Sequence, residues 1–175
     1  SKASKIPRLL AAGIFFIAMK FWRFNMYAYE IVSDKGVDAL ALNKRQSPEP
    51  GRGEILVGVR ASSINYRDLS IIEDPTPRGI TFPRIPNSDG AGEVICVGVG
   101  VTKFKAGDRV AGCFFQNWSD GQISAATMAS AMGGAIDGIL AEKAVLNEAG
   151  AVHIPVHMSF EEAATLPCAG LTAWN

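Results

Sequence analysis

Cysteine is scarce in this chain, at 3 among 175 residues, and no C-x-x-C pair occurs. That argues against a disulfide framework. The odd number, wide spacing and apolar surroundings of Cys96, Cys113 and Cys168 predict reduced, buried thiols in a cytosolic protein. Net charge is also lacking: 17 Lys and Arg balance 17 Asp and Glu, and no long basic run appears. A phosphate backbone has no electrostatic footprint to bind, so nucleic acid is not expected as a partner. Histidine is reduced to 2 residues, His153 and His157, which flank Pro155 with no carboxylate or cysteine at ligand spacing and read as a solvated turn. The apolar run at residues 9–19 holds 11 residues, too few for a helix to cross about 30 Å of hydrocarbon. No G-x-G-x-x-G turn is present: Gly98-x-Gly100 lacks the third glycine and leads into another strand rather than a helix.

What is there suits one compact core. The chain is 48% hydrophobic and 19% charged, long enough for one domain and short for two. Residues 1–25 stand apart, with Lys2, Lys5 and Arg8 ahead of the apolar run and Lys20 and Arg23 after it. They admit three readings: an upstream extension of the domain, an interfacial amphipathic helix associating with a membrane surface, or an export signal without a clean cleavage pattern.

From Tyr27 the pattern is β. Residues 27–32 and 39–42 predict strands about a turn at Asp34-Lys35-Gly36, and a Pro- and Gly-rich loop at residues 47–53 interrupts them. Residues 54–62 alternate, with Ile55, Val57 and Val59 on one face and Leu56 and Arg60 on the other. Asn65 is an N-cap candidate and Asp68 an acid at the third helical position for a short helix through Ile72. The stretch at residues 85–110 organises the rest: Pro86 and the pair Gly90 and Gly92 as a turn, residues 93–97 as a strand, a turn at Gly98-Val99-Gly100, and a strand from Gly107 continuing to Phe115. Residues 122–134 predict a loop carrying a helical turn, residues 137–147 a strand, and residues 152–155 the closure of the sheet. Ser159 and Glu162 form a capping box for a helix that Pro167 is expected to stop.

The runs P-N-S-D-G-A-G-E-V and V-G-V-G-V-T-K-F-K-A-G-D-R-V, in this order, resemble the catalytic domain of the medium-chain dehydrogenase/reductase superfamily, and the resemblance extends over residues 26–175. It implies a mainly β fold, a GroES-like, partly open β-barrel with a few short helices. Asn87 stands where the family usually has glycine, and Asn is among the residues most tolerant of positive φ. The family's zinc-dependent members place a cysteine at the position of Asn65 and a histidine at that of Ser88, and their third ligand falls near Cys168. Here the segment reads I-N-Y-R-D, as in the zinc-free, quinone-oxidoreductase-like branch. One thiol with an amide and a hydroxyl does not supply the ligands of a catalytic zinc, so no metal is expected. The four-cysteine structural lobe of zinc-dependent members is absent as well. Cys168 itself reads as a small buried hydrophobe rather than a nucleophile.

The resemblance further implies NADP(H) as cofactor and hydride transfer to or from a quinone, enone, carbonyl or alcohol. Asn65 and Thr172 are the expected cofactor contacts. Tyr66 would line the substrate pocket and donate a hydrogen bond to a developing oxyanion. Phe114, Phe115 and Trp118 either border the cleft or simply pack. The family's Rossmann domain is not among these 175 residues, so they are expected to be inactive alone, in a protein that is cytoplasmic and homodimeric when full length. The alternative from another class is a non-catalytic binding module on the same barrel.

Overall fold

The structure, a computed structural model, describes residues 25–175. The three readings of residues 1–25 therefore fall, but for Asn25, outside the described residues. The first hairpin pairs β1 (Met26–Ile31) with β2 (Leu40–Arg45), in register from Met26 with Arg45 to Ile31 with Leu40. Its connection contains a 3-10 turn, Gly36–Ala39, entered with Gly36 at φ +63°. The remaining strands are β3 (Glu54–Ser63), β4 (Asp89–Val97), β5 (Arg109–Gly112), β6 (Lys143–Asn147) and β7 (Ala151–His153). They form one curled antiparallel sheet in the order β6-β3-β4-β5-β7. This is the mainly β, partly open barrel that the resemblance implied.

The barrel is filled by Ile55, Val57, Val94, Val110, Met132, Ile139 and Leu146, none more than 1% exposed. Alternation along β3 holds for Ile55 and Val57 but not for Leu56, which is buried as well. A register shift against β4 between Leu56 and Val57 breaks the strict two-residue period there. A second, smaller cluster joins Ala91 and Ala111 to Ile154, Ala163 and Ala164, and so seats the C-terminal helical segment on the sheet.

Several boundaries differ from the sequence expectation, each for a local reason. The pair Gly90 and Gly92 lies inside β4 rather than in a turn. Its role is close approach: a Cβ at Gly92 would stand 2.2 Å from the Gly58 carbonyl oxygen of β3, and one at Gly90 2.9 Å from that of Ala61. Asn87 does take the left-handed conformation, at φ +67°. β5 ends at Gly112, and Phe115 instead makes an isolated bridge with Ala131. Residues 137–142 are not strand, because the Asp137 carboxylate accepts from Arg45 Nη1 at 3.0 Å, Arg84 Nη1 at 3.2 Å and the Ile85 N–H at 3.2 Å, making this segment a strap between the hairpin and the barrel. The helix α1 (Tyr66–Glu73) forms as expected, and α2 (Ala125–Met128) is the turn expected in the 122–134 loop. α3 (Phe160–Ala164) carries the capping box, with Ser159 Oγ accepting from the Glu162 N–H at 3.1 Å and Glu162 Oε2 from the Ser159 N–H at 2.8 Å. Pro167 does not stop it. Pro167 sits in the first turn of a π-helical segment, Leu166–Gly170, where its missing N–H costs little, and the chain continues into α4 (Leu171–Trp174).

If the β3–β4 contact depends on bare backbone, Gly92→Ala will destabilise the domain by about 3 kcal/mol in denaturant unfolding. Gly79→Ala, where φ is +70° but nothing lies within 4 Å, is the control, at about 1 kcal/mol. Equal effects would remove the close-approach argument.

Candidate active site

Three elements meet at one end of the sheet: the start of β4, the first turn of α1, and the π segment with α4. Asp89, the first residue of β4, is fully buried and ties this strand to the end of β3 and to the π segment. Its Oδ1 accepts from Ser88 Oγ at 2.7 Å, its Oδ2 from the Cys168 N–H at 2.9 Å, and its carbonyl from Ser62 Oγ at 3.1 Å. On α1, Asp68 is 1% exposed; Oδ2 accepts from the Asn65 N–H at 2.8 Å, closing the helix start. Burial raises the Asp68 carboxyl above its ordinary value, against the opposing pull of that bond and of Arg67. Arg67 donates from Nη1 to the Met132 carbonyl at 2.9 Å, and its guanidinium lies 4.4 Å from the centroid of the Phe114 ring.

Beside this cluster opens a cleft of about 670 Å³ with largely apolar walls. One wall is aromatic: Phe114 meets Phe115 edge-on at 4.6 Å, and Phe115 meets Trp118 edge-on at 5.6 Å. The opposite wall is the helical segment, with Cys168, Leu171 and Thr172. Thr172 bonds the Cys168 thiol, a weak downward pull on a thiol whose pKa burial and then Asp89 raise; burial also raises the Cys113 thiol in the same cleft. None of the three cysteines is in a disulfide, and all three are partly exposed rather than buried as the sequence suggested.

Of the expected site residues, Thr172 lines the cleft, while Asn65 and Tyr66 do not. The Tyr66 ring is 85% exposed on the first turn of α1, so the expectation that it walls this cleft is corrected. Asn65 leaves Nδ2 buried without a hydrogen-bond partner; among the described residues two of the three such side-chain atoms, Asn65 Nδ2 and Asp68 Oδ1, lie in this helix start. Phe114, Phe115 and Trp118 border the cleft. His153, read as solvated, is exposed but lines the cleft, with its ring 4.7 Å from Phe104 and Nε2 3.3 Å from the Lys103 carbonyl oxygen. Asp68 was legible as a buried acid, since it shares a helix face with Ile71 and Ile72, three and four residues on.

Residues 51–156 match the alcohol dehydrogenase GroES-like domain. The chain belongs to this family. A zinc-type alcohol dehydrogenase-like protein of Schizosaccharomyces pombe is 44% identical over 141 residues, which are 80% of this chain and 41% of that protein. A chloroplastic quinone-oxidoreductase of Triphysaria versicolor is 38% identical over 130 residues, 72% of this chain and 33% of its own length. Among solved structures, a putative alcohol dehydrogenase from Sinorhizobium meliloti is 41% identical with a TM-score of 0.76, over 86% of this chain and 45% of that one. This GroES-like chain therefore spans less than half the length of such relatives. Among the described residues no group of three His, Cys, Asp or Glu side chains is placed to hold a metal ion.

Replacing Asp89 by Ala removes the acceptor for the Ser88 hydroxyl and the Cys168 N–H. We expect a loss of about 2 kcal/mol in stability, with faster amide exchange concentrated at residues 165–174. Uniform exchange across the sheet would mean that Asp89 does not fasten this segment. Because both cleft thiols titrate above the ordinary thiol value, their alkylation by iodoacetamide at pH 7 should be slower than that of free cysteine and keep rising beyond the pH at which free cysteine levels off. A plateau at or below that pH would contradict the geometry.

Proposed function

We propose that this chain is the catalytic-domain part of a zinc-independent, NADP(H)-dependent oxidoreductase that transfers hydride to or from a quinone, enone or carbonyl/alcohol substrate. The observation that carries the reading is the cleft: an apolar space with aromatic walls and a single hydroxyl-bearing helix turn, Thr172, at its edge, beside a helix start with an unpaired donor. Such a space takes a planar, weakly polar molecule and fixes it with few polar contacts. The names of its relatives, alcohol dehydrogenases and quinone oxidoreductases, agree with that chemistry.

A nicotinamide cofactor would supply the hydride. The residues present fit its amide and ribose: Asn65 Nδ2 is a donor that the chain itself leaves unpaired, and Thr172 offers a hydroxyl facing the cleft. Zinc is not fitted, because Asn65 and Ser88 offer an amide and a hydroxyl where thiolate and imidazole would be needed. The protein's part is to exclude water with the aromatic wall and to orient the reacting pair.

Without a glycine-rich dinucleotide-binding turn, these contacts are a few hydrogen bonds worth roughly 1 kcal/mol each, against several kcal/mol of lost freedom on binding. By titration calorimetry the 175 residues alone should bind NADPH no tighter than about millimolar, and should not reduce a quinone or an α,β-unsaturated ketone. Joined to a dinucleotide-binding domain the chain should gain turnover. That turnover should fall roughly five- to tenfold on Asn65→Ala or Thr172→Ala, as the loss of one hydrogen bond each implies. Unchanged turnover in both variants would refute the assigned roles, and micromolar binding by the chain alone would point to a cofactor site elsewhere.

A further inference from the structure

Two buried carboxylates stand at the site, and the chain brings one guanidinium to them. Asp68 is 1% exposed, with Oδ1 accepting no hydrogen bond; Asp89 is fully buried, with both oxygens occupied by Ser88 Oγ and the Cys168 N–H. Arg67 Nη1 lies 3.6 Å from that free Asp68 oxygen, within ion-pair distance. The guanidinium is held in place from three sides: Nη1 donates to the Met132 carbonyl, the Phe114 ring stacks against it at 4.4 Å, and Gly134 leaves the space, since a Cβ there would be 2.8 Å from Nη2. A lysine or a flexible surface arginine would not be fixed in this way.

We propose that Arg67 is the resident cation of this site, a covalently attached positive charge that balances Asp68 and Asp89 and takes the place that a divalent metal ion would need. The inference rests on the zinc-free reading above and supplies its physical cause. It does not follow from the ligand positions alone, because a site lacking zinc ligands could equally be left neutral. Here the acids remain, and a guanidinium, which does not deprotonate in proteins, answers them. The same side chain stacks on Phe114, so the charge balance and the aromatic wall of the cleft are linked through one residue. Arg67 is a positioning residue in this account, acting on the cleft through Phe114 and through the acids.

The charged and titratable groups acting on Arg67 are Asp68, Cys168, Asp89 and, opposing them, Arg78. Asp68 already titrates above its ordinary value through burial, with Asp89 pushing it further up and Arg67 pulling it down. In the native state it thus binds its proton more readily than in the unfolded chain, so its charge costs stability as pH rises through that window. Removing Arg67 raises the native value again and deepens the cost at neutral pH, and protonation of Asp68 relieves it as pH falls.

The test uses the full chain and the variants Arg67→Met, Asp68→Asn and the two combined, melted at pH 7 and pH 5, with wild type also titrated with zinc chloride against a chelating dye. Arg67→Met is expected to lower Tm at pH 7 by about 5 °C, to lose much of that deficit at pH 5, and to regain at least half of it when Asp68→Asn is added. Wild type is expected to show no saturable zinc binding. A deficit equal at both pH values and untouched by Asp68→Asn would overturn the proposal, leaving Arg67 as packing for Phe114 alone. If Arg67→Met does not fold, a folded double variant supports the proposal, and failure of both overturns it. One zinc per chain bound by wild type would remove the zinc-free reading together with the inference, whereas a failed pH and rescue pattern with no zinc bound removes the inference only.

Discussion

A carboxylate with no access to water, Asp89, is the constraint on which the site end of the molecule depends. At the first position of β4 it cannot be left unpaired, since an unsatisfied buried charge costs several kcal/mol. Its partners are drawn from three parts of the chain: Ser62 at the end of β3 through the Asp89 backbone, Ser88 beside it, and the backbone of Cys168 on the far helical segment. The same strand a few residues on is bare at Gly90 and Gly92, which allows β3 to approach. β4 thus sets the curl of the sheet with its glycines and the position of the helical segment with its acid. The cleft is the gap left between that segment and the aromatic side chains that follow β5.

Much of this was legible in the sequence because it is local. The Ser159 and Glu162 capping box, the helix start at Asn65, the alternation of Ile55 and Val57, and the left-handed Asn87 are decided by residues within a few positions of one another. What was not legible is decided across the fold. The glycine pair reads as a turn until the neighbouring strand is known to lie against it, and residues 137–142 read as a strand until Arg45 and Arg84 claim Asp137. Pro167 reads as a stop, yet the π segment accommodates it in its first turn. Of the expected site residues, Thr172, read as a cofactor contact, lines the cleft and Tyr66 does not; of the charged groups that define the electrostatics, Arg67 and Asp68 carried only a weak signal, as charges on the helix that also carries Ile71 and Ile72, and Asp89 carried none.

The chemistry of the site follows from that uneven distribution of charge. The cleft wall is apolar, while all the formal charge lies behind it in Asp68, Asp89 and Arg67, linked to the wall by Phe114 and Cys168. A molecule in the cleft meets aromatic carbon, the His153 ring, two thiols and one hydroxyl, with the ions set behind the wall. The field of those ions reaches it in a fixed orientation, because neither acid can rotate without losing a hydrogen bond.

The edge-to-face arrangement of Phe115 and Trp118 has an optical consequence. The indole N–H of Trp118 is committed to the carbonyls of Asp120 and Gly121, at 3.0 and 3.2 Å, and its ring is a wall of the cleft. Trp174, by contrast, is 90% exposed. Of these two indoles in the described residues, Trp118 stands partly exposed against the cleft and Trp174 in water. A molecule entering the cleft comes up against the Trp118 ring, so the protein carries in its own cleft wall a fluorophore that reports what enters it.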